Sequence, residues 1–254
     1  MKNFSNIKWF LHICIISVVC VFIGACATGR PSESVQRIDP SFDYNPSETT
    51  AGKTNITFAV VGSQFEAPFD SPRVPLFERF SSNMADDFAE IITARGYTLR
   101  GPFRTFDEMT FIDKDNSNLI LTAKVELKPD LSQTEIVFVK NLLTAGGTWR
   151  ISGQVIVTGR ISLIVSESLT NEKMWTKSVN IRPITAELTP MRYALSNITI
   201  EDTLKNDDKF YTSLGLKLDR QYHEIMNRTY GYLDPREMSL ISKQAAELKK
   251  RKIF

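Results

Sequence analysis

Between Trp149 and Ser166 the chain alternates apolar and polar residues for eighteen positions, a longer period-two run than one flat strand holds. Trp149, Ile151, Val155, Val157, Ile161, Leu163 and Val165 fall on one side, and Arg150, Ser152, Gln154, Thr158, Arg160, Ser162 and Ser166 on the other. Gly153 and Gly159 share the apolar side, so the spacing predicts a bulge or turn at Gly153 or at Thr158-Gly159. Glu167–Glu172 reads as a turn, after which Lys173 to Ile181 returns with Trp175, Val179 and Ile181 on one side. Leu119 to Lys128 shows the same alternation, which describes antiparallel strands with one wet face.

Helical signals flank these strands. The run 56–62, ending in glycine, suits a buried strand. Phe77, Phe80, Met84, Phe88, Ile91 and Ile92 then recur at three-to-four spacing, with Gly96 placed as a left-handed helix end. Phe210, Leu214, Leu218, Tyr222, Ile225 and Met226 form a second stripe. Asp234-Pro235 opens a last helix that ends in Lys249-Lys250-Arg251-Lys252, cations that suit a helix C-terminus. The expected fold class is α+β: one curved antiparallel sheet with amphipathic helices packed on one face.

The N-terminus carries an address. Lys2 and Lys8 precede an apolar run from Trp9 to Ile23, and Ile23-Gly24-Ala25-Cys26 follows. A basic start, a hydrophobic stretch of about fifteen residues and small residues before a cleavage point make a secretory signal, and the stretch is below the roughly 20 residues of a membrane span. The junction resembles the lipobox of bacterial lipoproteins, whose cysteine is acylated, which implies lipidation at Cys26 and removal of 1–25. Ala27 stands where an Asp would favour inner-membrane retention, so the resemblance implies the outer membrane.

Without its signal the chain keeps only Cys26, so no internal disulfide is available, and 29 basic residues face 29 acidic ones. That balance argues against nucleic acid as a partner. Residues 26–54 hold Pro31, Pro40 and Pro46 among polar residues and read as a disordered tether with a reach on the order of 30 Å. Residues 55–254 are read as a single domain with enough apolar residues for one core.

Chemical motifs are sparse. His223 is the single histidine after the signal, with no second His or Cys to share a metal, and His223–Asn227 lacks the second histidine of a zinc-protease helix. No phosphate-cradling glycine loop or nucleophile elbow occurs. Asp113–Asn118 resembles the start of a calcium loop but has no glycine at its sixth position, and it reads as a polar turn. The expectation is a protein that is not an enzyme, with no cofactor and no metal.

Taken in order, Ala94-Arg95-Gly96-Tyr97, the strand 119–130, the region 153–172 and the helix with Ala246-Glu247-Leu248-Lys249 resemble the neuraminyllactose-binding haemagglutinin (HpaA-type) lipoproteins. The resemblance implies an outer-membrane lipoprotein, a surface or flagellar-sheath adhesin binding host sialylated glycans. The family's basic sialic-acid motif maps onto Leu131–Lys140, where Glu135 places a negative charge and Ile136–Val139 reads as sheet or as packing beneath a loop. Segment 182–208 reads as a long irregular loop, and Arg182, Arg192 and Tyr193 are its candidate ligand residues. The second class of function is a periplasm-facing structural or assembly lipoprotein with envelope or sheath proteins as partners.

Overall fold

The computed structural model describes residues 39–46, 49, 52–67, 75–140, 147–193, 204 and 207–252. Along the chain these form β1 (Thr57–Val61), β2 (Gln64–Phe65), α1 (Pro75–Ala94), β3 (Thr98–Phe103), α2 (Phe111–Asp115), β4 (Leu119–Asp130), β5 (Thr134–Lys140), β6 (Gly147–Glu167), β7 (Lys173–Tyr193), α3 (Asp208–Tyr232) and α4 (Pro235–Lys252). The class is α+β, with seven strands in one sheet that is not closed.

The sheet is mixed. β4, β5, β6 and β7 pair antiparallel as the alternation predicts. β1, however, runs parallel to both β3 and β4, and β2 runs parallel to β4. The cause is α1: its 20 residues carry the chain back along the sheet, so β3 starts again at the end where β1 started. Phe58 and Val60 of β1 enter the main core, while Ala59 and Val61 join Met109 and Ile120 in a small cluster on the other face.

All three long helices feed the main core: Phe80, Met84 and Phe88 from α1, Phe210, Leu214 and Tyr222 from α3, and Met238 and Ile241 from α4. Asp207 caps α3, accepting from the backbone N–H of Lys209 and Phe210, and the same carboxylate accepts from the N–H and hydroxyl of Thr189 in β7. One buried side chain therefore starts the helix and fixes it to the sheet. Asp234 caps α4 through the N–H groups of Arg236 and Glu237.

β6 and β7 are each 21 residues long. Their pairing slips between Ile151 and Gly153 and between Val157 and Gly159, the two places where glycine predicted a bulge. Gly153 has φ of +127°, a conformation that side chains with a Cβ rarely adopt. On β7 the same two slips hold Pro183 and Pro190, and β7 pairs with β6 alone, so neither proline removes a ladder bond from a central strand.

Three expectations are corrected. The tether expected over 26–54 does not extend that far, because Phe42 and Tyr44 are buried in the main core and the folded unit begins at Asp39. Asp219 accepts from the Phe42 N–H at 2.7 Å, the Tyr44 hydroxyl donates to Asn227 at 2.9 Å, and Phe42 meets Phe80 edge-on. The loop expected over 182–208 is strand as far as Tyr193. The polar turn expected at 113–118 begins as helix α2, held by a capping box between Thr110 and Asp113.

Candidate functional site

Parallel strands create a crevice beyond their carboxyl ends, where the connections diverge, and such crevices are the usual ligand position in open sheets with helical crossovers. Here it is a groove of about 840 Å³ past the ends of β1 and β3, closed on one side by the first half of α1. Gly62 forms its floor: its N–H donates to the Phe103 carbonyl at 2.8 Å, and a Cβ there would come within 2.9 Å of the Arg104 carbonyl. Thr122 fixes the same turn by donating to the Gly62 carbonyl at 3.0 Å.

The lining is polar with apolar plates. Phe65, Pro102 and Phe103 supply carbon surface, and Ser63, Ser81, Ser82, Asn83, Arg79 and Arg104 supply donors. Several are already engaged: Ser81 donates to the Ser63 carbonyl at 2.8 Å, Asn83 to the Ser41 carbonyl at 2.5 Å, and Arg79 lies 3.4 Å from Asp39. The Ser63 hydroxyl is instead buried without a hydrogen-bond partner among the described residues, and Arg104 donates there through its backbone N–H, to Glu108 at 2.8 Å. A buried hydroxyl without a partner costs about 1–3 kcal/mol, and a hydroxylated ligand would recover it. Glu78 and Asp86 offset the two arginines, so the lining carries no surplus charge that would attract a polyanion.

Beneath the groove wall, α1 and α3 are joined by Asp87 and Tyr222, whose hydroxyl donates to the carboxylate at 2.5 Å. Burial pushes Asp87 up to about 6, against the lowering effect of that hydrogen bond, and raises the Tyr222 hydroxyl as well.

Cys26 lies outside the described residues. Arg182, Arg192 and Tyr193 are not brought together: Arg182 and Arg192 are ten residues apart on one extended strand, about 33 Å. Arg182 pairs with Glu224 at 2.9 Å, Arg192 stands opposite Arg150, and Tyr193 ends β7 opposite Trp149. Segment 134–140 enters the sheet as the edge strand β5, with Ile136, Val137, Phe138 and Val139 40–48% exposed. His223 approaches Asn227 and the Tyr44 ring. Lys249 from the basic end of α4 reaches Asp115, 3.0 Å from its carboxylate. Among the described residues no three His, Cys, Asp or Glu side chains are grouped to hold a metal, and no helix is long and apolar enough to cross a membrane. The groove was invisible in the sequence because its residues come from the turn after β1 with β2, from α1, and from the end of β3; the one local signal was the glycine closing the first strand.

No family model matches this sequence, and comparison with curated proteins finds no match. Among solved structures, the chain is similar to a putative neuraminyllactose-binding hemagglutinin homolog from Helicobacter pylori, with 13% identity and a TM-score of 0.56 over 83% of this chain and 100% of that one. That likeness is one of fold. A lipoprotein of Neisseria meningitidis aligns at 13% identity and TM-score 0.27, covering 59% of this chain and 91% of that one. A minor lipoprotein of Acinetobacter baumannii aligns at 12% and 0.22, covering 68% and 95%. At those scores neither bears on the argument.

Proposed function

We propose that the chain is a lipoprotein of the bacterial envelope, acylated at Cys26, anchored in the outer membrane, and working without catalysis as a surface or flagellar-sheath adhesin. The observation that carries this reading is the lipobox-like Ile23-Gly24-Ala25-Cys26 placed before a body that shares its fold with a hemagglutinin homolog along that protein's full length. Two or more acyl chains hold a protein at a bilayer where one is marginal, so no spanning segment is required.

The groove is the place for a glycan. Phe65 and Phe103 offer flat carbon surface to a sugar ring, the Ser63 and Ser82 hydroxyls suit its oxygens, and Arg104 suits the carboxylate of a sialylated terminus. Leu131–Lys140 does not serve, because most of it, Thr134–Lys140, is an apolar edge strand with Glu135 at its start.

Mass spectrometry of the N-terminal peptide tests the anchor: a diacyl or triacyl adduct on Cys26 is expected, and an unmodified cysteine contradicts it. Protease treatment of intact cells tests the address, where degradation is expected and protection would turn the reading to a periplasm-facing assembly lipoprotein. Sialyllactose binding tests the groove, with loss expected in Arg104→Ala and unchanged binding ruling the groove out.

A further inference from the structure

Beyond Gly153, β5 and the outer ends of β6 and β7 form a three-stranded arm in which, among the described residues, β5 and β7 each pair with β6 alone. Ile136, Val137, Phe138 and Val139 are consecutive, so both faces of β5 show carbon, an arrangement that edge strands ordinarily avoid. Phe138 meets Trp149 with ring centroids 5.1 Å apart, and Tyr193 follows in register on β7. Val137, Arg150 and Arg192 form the neighbouring row. The two arginines are exposed, directly opposite each other, and without an acidic partner among the described residues, although like charges so placed repel.

We infer that this arm is a membrane-contact element that seats in the headgroup region of an anionic bilayer. Aromatic rings beside exposed aliphatics suit the headgroup boundary, and a pair of arginines held together by strand register is relieved by lipid phosphate. The uncompensated arginine pair favours an anionic lipid surface over a second copy of the chain, whose arm would bring the same two cations. Pro40 packs on Gly215 of α3, two turns from Asp207, which holds Thr189 at the base of the arm. If Cys26 is acylated, the twelve residues before Asp39 limit the distance between lipid and Asp39 to at most about 45 Å. An acyl anchor and an arm with affinity for lipid would be two signals where one acyl group is weak. The cooperation with an acyl anchor rests on the lipoprotein reading; the affinity of the arm for lipid does not.

The test uses the chain from residue 26 with Cys26→Ser, so that no acyl group contributes, and Trp175→Phe, so that Trp149 is the remaining tryptophan. Vesicles of phosphatidylethanolamine with phosphatidylglycerol are the probe, and phosphatidylcholine vesicles the neutral control. Flotation with the anionic vesicles and a blue-shifted Trp149 emission are expected. Phe138→Asp should abolish both, and Arg150→Gln with Arg192→Gln should weaken partitioning roughly twenty-five-fold, about five-fold for each arginine. If Phe138→Asp loses its native circular dichroism, the arginine pair, which lies outside the core, carries the same readout. Absence of flotation, or flotation that the arginine pair leaves unchanged, overturns the inference. A dimer in sedimentation that Phe138→Asp dissolves, in protein that binds no vesicle, assigns the arm to a second copy instead. Cys26 processing is read separately by mass, so an unmodified Cys26 with vesicle binding intact fails the anchor and not the arm.

Discussion

The two halves of β6 carry the same alternation and meet opposite fates. From Val155 to Val165 the inward side chains are fully buried, with β4 on one edge, β7 on the other, and helices over the face. From Gly147 to Gly153 the partner β5 is apolar yet exposed, and only Ile151 of this stretch is buried. Period two therefore dictates that a segment is a strand; what covers it is decided by elements distant in sequence. The inner half is a scaffold and the outer half a contact surface, and substitutions should separate them by size of effect.

The largest effect is expected inside. Phe80→Ala removes a buried ring that touches Phe42, Phe65 and Tyr222, and should cost about 3–5 kcal/mol in a denaturant melt. A cost below about 1 kcal/mol would mean that the strap 39–46 is not part of the core.

The junction between the halves comes next. Gly153→Val sets a branched side chain at a positive φ, with the new Cβ within 2.3 Å of the Gln133 carbonyl, and should cost about 2–3 kcal/mol while loosening β5. Retained stability would show that the slip there can be relaxed without harm.

The buried pair of the scaffold gives a pH signature. Asp87 sits at about 6 in the folded protein against an ordinary 3.8, so between these values the folded state holds more protons than the unfolded one. Stability is then greatest below the window, falls as pH rises through it, and levels off above, a contribution of about 2–3 kcal/mol. Asp87→Asn keeps an acceptor for Tyr222 and should flatten that slope, checked by melts from about pH 4 to pH 7. An unchanged slope would assign it elsewhere.

The smallest effect belongs to the arm. Phe138→Ser should change stability by less than about 0.5 kcal/mol, because the ring is already 44% exposed. A loss comparable to that of Phe80→Ala would contradict the division.

Much of the fold could be read in the sequence, and the failures have physical causes. β4, β6, the first part of β7 and the three long helices follow from spacing and caps, and glycine marked the places where β6 slips, expected at one of two and found at both. β3 escapes because Gly101-Pro102 interrupts six residues of which none is buried. Phe42 and Tyr44 escape because isolated aromatics among prolines carry no period, and their burial depends on Asp219 and Asn227, some 180 residues away. The end of β7 escapes because Pro183 and Pro190 break its alternation, and the pairing slips of the strand accommodate them. The groove has no sequence signature, being assembled from three separate segments, while Leu131–Lys140 showed its apolar character plainly and concealed only that Ile136–Val139 stay 40–48% exposed.

Amide hydrogen exchange along β6, followed in the acyl-free protein with and without anionic vesicles, tests the central claim most directly. Amides of 155–167 should exchange slowly in both conditions, while those of 147–153 should exchange rapidly in free protein and slow markedly on vesicles. Equal protection of the two halves without lipid, or an outer half that vesicles leave unchanged, would contradict the account.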